Sequence, residues 1–190
     1  MELEQYATPS ALASTLLWLA EHHYQDIYSK RVVDLGAGTG RLGIGAALLG
    51  ASQIMLVDVD TDALRVAWDS LKRMNLTERF DLIAADIQFI PIRDDFTFDT
   101  AIQNPPFGVH RRGYDFLFVE KALSLARVVY SIHKERSSDY IVRRVEELGF
   151  NAGIIYRERI CIPHMFEWHR KPRHCFTVAV IRIIYKREKV

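Results

Sequence analysis

One stretch decides the fold of this chain: Val32-Val33-Asp34-Leu35-Gly36-Ala37-Gly38-Thr39-Gly40. A short apolar strand runs into a turn with three glycines, and an apolar helical pattern follows over Leu42–Leu49. Glycine adopts positive φ without a steric penalty and lets a ligand approach the backbone closely. Strand, glycine-rich turn and helix in this order are typical of a nucleotide-binding Rossmann-like unit.

The spacing of these glycines favours one cofactor over another. Dinucleotide sites space them as G-x-G-x-x-G, whereas this chain has G-x-G-x-G with Asp34 two residues ahead. A carboxylate so close to the turn would repel a pyrophosphate and attract a cation. The stretch therefore disfavours NAD and favours S-adenosylmethionine, which carries an amino group and a sulfonium.

Strand and helix patterns alternate on both sides of this stretch. Strands are predicted at Arg31–Leu35, Gln53–Val57, Leu82–Ala85, Phe98–Gln103, Val128–Ile132, Ala152–Ile160 and Phe176–Tyr185. Helices are predicted at Pro9–His23, Leu42–Leu49, Asp62–Met74, Asp115–Ala126 and Ser138–Leu148, with Ser137 capping the last. Crossover connections imply a parallel sheet. We expect one α/β, Rossmann-like domain over residues 1–190, with a mostly parallel seven-stranded sheet, an antiparallel C-terminal hairpin and helices on both faces.

Carboxylates also follow the second and third predicted strands. Asp58 comes about 20 residues after the glycines, where a carboxylate accepts the ribose hydroxyls of a nucleotide. Asp86 can accept from an adenine amino group, and Ile87 can cover the ring. Each carboxylate alone could equally be a solvated loop residue or a helix cap. Together they fit an open α/β sheet, whose ligands bind at the carboxyl ends of the strands.

The fourth predicted strand ends in Asn104-Pro105-Pro106-Phe107. Proline cannot continue a sheet ladder and fixes the local backbone, so the Asn104 side chain and the Pro105 carbonyl should be held rigidly. Two acceptors and an aromatic ring can grip a planar amino group. The alternative is a purely structural role, in which these residues form a rigid turn that ends a strand.

The composition narrows the classes of protein to which this chain can belong. The chain has 190 residues, of which 49% are hydrophobic and 26% charged, as in ordinary globular proteins. No apolar stretch approaches the roughly 18 to 20 residues that span a bilayer, and the N-terminus is acidic. Cys161 and Cys175 are too few for a disulfide framework. We expect a cytoplasmic protein with reduced cysteines.

The net charge of +1 hides an asymmetry. Residues 1–109 hold 8 basic and 15 acidic residues, a net charge of −7, while residues 110–190 hold 17 and 9, a net charge of +8. A basic half is typical of a protein with a polyanionic partner, although scattered solvated arginines would give the same count. The candidate RNA-binding residues are Arg111, Arg112, His133, Lys134, Arg170, Lys171 and Arg173. Three histidines, His164, His169 and His174, share one loop, but without accompanying carboxylates we expect no metal site.

These motifs together resemble the class I S-adenosylmethionine-dependent methyltransferases, and the Asn-Pro-Pro-Phe form resembles their amino-methylating branch. More closely, the chain resembles the archaeal and eukaryotic methyltransferase-like family that makes N6-methyladenosine in small-subunit ribosomal RNA. The matching segments run nearly end to end. They include Leu3-Glu4-Gln5-Tyr6-Ala7-Thr8-Pro9, Asp58-Val59-Asp60-Thr61-Asp62-Ala63-Leu64 and Val129-Tyr130-Ser131-Ile132-His133-Lys134.

The resemblance implies roles for individual residues. The cofactor contacts are Gln5, Thr8, Gly36, Gly38, Thr39, Arg41, Asp58, Asp86 and Ile87, and the catalytic segment is Asn104, Pro105, Pro106 and Phe107. The family usually carries a small or apolar residue where Arg41 stands, so only its backbone is expected to contribute. His133 and Lys134 should follow the fifth strand near the mouth of the site. The resemblance also implies a small zinc-binding activator protein that covers the edge formed by the second and third strands.

Other functions share parts of this pattern. A glutamine methyltransferase of release factors also uses Asn-Pro-Pro, typically followed by Tyr, and carries a separate recognition domain. A DNA methyltransferase usually needs a further target-recognition domain. A non-catalytic module that kept cofactor binding is the third alternative.

Overall fold

The computed structural model describes residues 8–92, 97–106, 113–163 and 173–185, with the backbone alone at 162, 163, 173 and 174. The strands are β1 (Arg31–Leu35), β2 (Gln53–Asp58), β3 (Phe80–Ala84), β4 (Phe98–Gln103), β5 (Ala126–Lys134), β6 (Phe150–Pro163) and β7 (Arg173–Tyr185). The helices are α1 (Ser10–Trp18), α2 (Arg41–Leu48), α3 (Thr61–Arg73), α4 (Tyr114–Leu125) and α5 (Glu135–Glu147). A π-helical turn, Leu19–His23, continues α1.

The strands form one sheet in the order β3-β2-β1-β4-β5-β7-β6. The first five pair in parallel, and β7 lies antiparallel to both β5 and β6. This confirms the mostly parallel sheet with an antiparallel C-terminal hairpin. The strand order reverses between β1 and β4, which is where open α/β sheets bind their ligands.

Helices cover both faces of the sheet, as predicted. Buried side chains of α1, α2 and α3 form one hydrophobic core against one face, and those of α4 and α5 form a second core against the other. Local sequence explains the helix ends. Asp60 caps α3 by accepting from the backbone N–H groups of Asp62 and Ala63, and Gly149 follows α5 with φ of 88°.

Two boundaries near β5 differ from the prediction. The strand continues to Lys134 because its pairing with β7 extends to the Lys134–Val178 pair. Lys134 is therefore the residue before α5, and the Ser137 hydroxyl donates to the Lys134 carbonyl at 3.0 Å instead of capping the helix.

The C-terminal hairpin carries a disulfide. Cys161 and Cys175 lie opposite each other in the β6–β7 register and are bonded, 14 residues apart in sequence. The prediction of free cysteines is therefore wrong for this structure. Pairing could not be read from the sequence, because it depends on the register of two strands.

A partly buried ion pair connects the segment before β1 to the last strand. The Asp26 carboxylate, which precedes β1, accepts from Arg182 Nη2 at 2.9 Å and from the Tyr130 hydroxyl at 2.6 Å. The Arg182 guanidinium also lies 4.3 Å from the centre of the Tyr24 ring. We call Asp26, Tyr130 and Arg182 the brace. Burial, followed by the Asp26 contact, raises the pKa of Tyr130, so this hydroxyl stays a donor.

The outer strand β3 leaves one edge of the sheet open among the described residues. Phe89, in the turn that follows β3, is 76% exposed, and Val59, which follows β2, is 52% exposed. None of the described helices is long and apolar enough to cross a membrane.

Candidate active site

The glycine-rich turn lies at the carboxyl end of β1. Gly36, Gly38 and Gly40 have φ of 68°, 54° and 77°, a left-handed backbone that other residues rarely adopt. A Cβ atom on Gly38 would meet nothing within 4 Å, so open space lies beside this backbone. A Cβ atom on Gly40 would lie 3.1 Å from Leu56, so Gly40 serves the close packing of α2 on the sheet.

Asp34 is buried beneath this turn. Its Oδ2 accepts from the Gly43 N–H at 2.8 Å, which ties β1 to α2. Burial raises the pKa of the Asp34 carboxyl from 3.8 to about 7, the Gly43 bond opposes this, and the Asp58 charge adds to it. A carboxyl in this state gains a proton or a cationic neighbour readily near neutral pH, which agrees with the cationic ligand predicted above.

Asp58 ends β2 and is 5% exposed. Its two oxygens accept from the Gly38 N–H at 2.7 Å and the Asp60 N–H at 2.8 Å. A carboxylate oxygen has two acceptor positions, so each retains one for a ligand hydroxyl. Asp58 thus joins the glycine turn to β2 and also offers the pair of acceptors that a ribose needs.

Asp86 and Ile87 follow β3. Asp86 Oδ1 accepts from the Gln88 N–H at 2.9 Å and so caps a short 3-10 turn, while Ile87 is buried. The capping role that the sequence left open is therefore present, and the second carboxylate oxygen of Asp86 makes no hydrogen bond among the described residues.

Asn104 and Pro105 follow β4 directly. The Asn104 Nδ2 donates to the Thr8 hydroxyl oxygen at 3.0 Å. The Asn104 Oδ1 is buried and has no hydrogen-bond partner among the described residues. A buried acceptor without a donor costs free energy, and a catalytic role is one established reason for such a group. Phe107, predicted to stack on the substrate, lies outside the described residues.

A side chain of α2 holds Thr8 in place. Thr8 is 7% exposed, and its carbonyl accepts from Arg41 Nη1 at 2.5 Å. The Arg41 side chain therefore holds Thr8, a role that the sequence analysis did not predict. No local pattern signals this contact, which joins residues 33 positions apart.

These segments surround one cavity of about 300 Å³. The predicted residues that line it are Thr8, Gly36, Gly38, Thr39, Arg41, Asp58, Asp86, Ile87, Asn104, Pro105 and Pro106. Tyr114 and Phe118 of α4 line it as well, with ring centres 5.6 Å apart. Their spacing of four residues was the available signal, but Tyr114 lies just before the predicted helix and the same spacing is also typical of core packing.

His133 is not at the mouth of this cavity. It lies within β5 and is fully buried, so the prediction that it follows the strand is wrong. Its Nε2 lies 2.6 Å from the Ser131 hydroxyl, which accepts from Gln103 Nε2 at 2.9 Å. Burial lowers the pKa of His133 from 6.5 to about 3, so the imidazole is neutral. Lys134 is half-buried, with its ammonium 5.3 Å from the centre of the Phe176 ring.

Several predicted residues fall where the structure describes no side chain. They are Gln5, Arg111, Arg112, His164, His169, Arg170 and Lys171, together with Arg173 and His174, whose backbone alone is described. Across the described ranges, no group of three or more His, Cys, Asp or Glu residues is placed to hold a metal ion.

Known proteins share this sequence and architecture. The methyltransferase small domain family matches residues 12–127. The rRNA N(6)-adenosine-methyltransferase METTL5 of Danio rerio is 35% identical over 95% of this chain and 87% of its own length. The rRNA N(6)-adenosine-methyltransferase Mettl5 of Drosophila melanogaster is 36% identical over 89% of this chain and 80% of its own length. A crystal structure of a proposed RNA methyltransferase from Pyrococcus horikoshii is 38% identical with a TM-score of 0.85, covering 96% of this chain and 87% of that one.

Proposed function

Because this chain belongs to the family of the rRNA N(6)-adenosine-methyltransferases, we propose that it transfers a methyl group from S-adenosylmethionine to N6 of an adenosine in small-subunit ribosomal RNA. One observation carries this proposal. The Asn104 Oδ1, at the end of β4 and in a residue that lines the cavity, is a buried acceptor without a donor. An exocyclic amine is the kind of donor that it lacks.

The cavity fits S-adenosylmethionine, which supplies a methyl group on a positively charged sulfur. The open space beside Gly38 admits a ligand against the backbone. Asp58 would accept from the ribose hydroxyls, Asp86 from the adenine amino group, and Ile87 would cover the ring. The buried Asp34 favours a cation nearby. Gln5 would contribute from the N-terminal segment.

Asn104 and Pro105 would activate the substrate amine. The lone pair of adenine N6 is delocalised into the ring, so the free amine is a weak nucleophile. Hydrogen bonds from its two N–H groups to Asn104 Oδ1 and the Pro105 carbonyl return electron density to N6 and orient its lone pair toward the methyl carbon. As the new C–N bond forms, the methyl–sulfur electron pair leaves with sulfur and N6 becomes positive. The acidified N6 proton then passes to water, so no strong general base is needed.

The RNA must present an unpaired or extruded adenine. Phe107 would stack on that base, as aromatic side chains do in single-strand recognition. The phosphates would meet the basic residues Arg111, Arg112, Lys134, Arg170, Lys171 and Arg173. His133 is left out of this set, because a side chain with 0% exposure has no surface to offer RNA. A ribosomal substrate implies a cytoplasmic enzyme.

The open β3 edge supports a protein partner. An unpaired strand edge invites an added strand from another chain, and the exposed Phe89 follows β3 in the chain. A small zinc-binding activator of the type implied by the family would cover this edge.

Methyl transfer from labelled S-adenosylmethionine tests the proposal. Small-subunit rRNA, large-subunit rRNA and a release-factor protein would be offered separately, with the chain alone and with the activator, followed by nucleoside analysis. We expect N6-methyladenosine at a single site in small-subunit rRNA, and no label with Asn104→Ala. Label on glutamine of the protein, or on no RNA under either condition, would overturn the proposal.

A further inference from the structure

The amide of Asn104 has two ends of nearly equal shape but opposite chemistry. Its oxygen accepts hydrogen bonds, whereas its nitrogen donates them. A substrate amine brings donors, so only the oxygen can receive it. If the amide turned over, an N–H group would face another N–H group, and the site would repel the nucleophile that it has to hold.

Thr8 supplies what the useful orientation requires. With Oδ1 reserved for a ligand, Nδ2 must find an acceptor elsewhere, and the Thr8 hydroxyl oxygen provides it at 3.0 Å. Thr8 is 7% exposed, so water cannot easily take its place. A buried N–H group without an acceptor is destabilising, so loss of the Thr8 hydroxyl would disfavour the orientation in which Nδ2 faces residue 8 and Oδ1 faces the substrate.

Arg41 fixes the position of Thr8 in turn. Its guanidinium donates to the Thr8 carbonyl from the first residue of α2, directly after the glycine turn. The position of the Asn104 amide relative to α2, which begins directly after the glycine-rich turn, is therefore set through Thr8. Thr8 and Asn104 are 96 residues apart in sequence, so the fold alone brings them together.

We propose that Thr8 is a positioning residue for the methyl transfer: its hydroxyl accepts from Asn104 Nδ2 and so presents Oδ1 to the substrate amine, and Arg41 holds Thr8 in place. The inference rests on the proposed function, because it assumes that Asn104 receives the amine. It departs from the role that the family resemblance implies for Thr8, which is contact with the cofactor.

The test compares Thr8→Val, which keeps the shape but removes the acceptor, with Thr8→Ser, which keeps the hydroxyl. We expect Thr8→Val to lower kcat by roughly 10-fold to 100-fold, the size set by one unsatisfied buried N–H group. Thr8→Ser should restore kcat to within a few-fold of the wild type. The Kd for S-adenosylmethionine, measured by calorimetry, should change little in both. Thr77→Val, at a half-buried threonine outside the cavity, is the matched control.

Arg41→Met tests the second contact by removing the guanidinium donor while keeping a long side chain. We expect a smaller fall in kcat in the same direction. An unchanged kcat would remove Arg41 from the proposal.

The outcomes separate this inference from the proposed function. A wild-type kcat in Thr8→Val, a failure of Thr8→Ser to restore it, or a matching loss of cofactor affinity would each overturn the positioning role. Substantial turnover by Asn104→Ala would instead overturn the catalytic assignment of Asn104. An inactive Asn104→Ala with a fully active Thr8→Val leaves the function standing and refutes the positioning role alone.

Discussion

In the proposed mechanism, the chemistry depends on Asn104. Asn104→Ala removes the buried Oδ1 acceptor from the site while leaving Asp58, Asp86 and the glycine turn in place. We expect turnover to fall by at least about 100-fold, as when a single preorganised hydrogen bond to a transition state is lost. The Kd for S-adenosylmethionine should stay within a few-fold of the wild type. Single-turnover assays and calorimetry measure the two quantities, and a near-normal rate would contradict the assignment.

Asp34 gives a second residue-scale prediction, on stability and pH. Its carboxyl has a pKa of 3.8 in the unfolded chain and about 7 in the fold. The protonated form therefore stabilises the fold, and this contribution is complete below pH 3.8 and lost as the pH rises through 7. Asp34→Asn keeps an acceptor for the Gly43 N–H but does not ionise. The stability of the wild type relative to this variant should fall by up to about 1.4 kcal/mol per pH unit between about pH 4 and 7.

Urea unfolding at several pH values measures this difference. Asp62→Asn is the control, because it makes the same substitution at an exposed carboxylate of α3. Parallel pH profiles for the wild type and Asp34→Asn would show that Asp34 is ionised throughout, and the buried carboxyl would then need a permanent cationic partner.

At the scale of elements, the open edge at β3 is the feature that a partner would use. Phe89, which ends the 3-10 turn after β3, is 76% exposed. Phe89→Ser should weaken binding of the proposed activator at least about 30-fold, because a buried aromatic anchor at an interface contributes about 2 kcal/mol or more. Tyr185→Ser, at an exposed aromatic on the hairpin side of the sheet, is the matched control. If both variants bound the proposed activator with equal affinity, the activator would bind a surface that does not include Phe89.

The elements also show what the sequence could and could not predict. The bounds of β1 and β4 were predicted correctly, because each is a compact apolar run that ends at a glycine or a proline motif. The end of β5 was missed, since His133 and Lys134 read as polar loop residues. Their place in the strand follows from pairing with β7, which lies about 50 residues further along the chain and leaves no local signal.

The same distinction applies to the site. Gly36, Gly38, Asp58 and Asn104 were predicted from local motifs, and the cavity brings them together. The contacts made by Thr8 depend on residues 33 and 96 positions away, so no spacing rule could reveal them.

At the scale of the whole molecule, the brace ties the segment before β1 to the last strand. Asp26 and Arg182 are 156 residues apart and are 14% and 19% exposed. Arg182→Met would leave the Asp26 charge largely buried, with the Tyr130 hydroxyl as its remaining side-chain donor among the described residues, and should destabilise the fold by roughly 3 kcal/mol. Arg65→Met breaks an ion pair on α3 that is largely exposed, and should cost less than about 1 kcal/mol.

Denaturant unfolding of the two variants gives the comparison. The double variant Asp26→Asn/Arg182→Met should recover part of the lost stability, because the unpaired charge is then absent. If Arg182→Met were no more harmful than Arg65→Met, the brace would contribute no more than an ordinary surface pair.

The strand order separates the acidic and basic parts of the sequence onto the two sides of the sheet. Strands β1 to β4 come from residues 1–109, with a net charge of −7, and lie on one side of the sheet. Strands β5, β6 and β7 come from residues 110–190, with a net charge of +8, and lie on the other. Within the described ranges, residues 8–92 and 97–106 hold 7 basic and 11 acidic residues, and residues 113–163 and 173–185 hold 10 and 7, so the two sides carry net charges of −4 and +3 and form a lateral electric dipole. A polyanion approaching in solution would turn the molecule so that its hairpin side arrives first, which leaves the β3 edge facing away and free for a second protein.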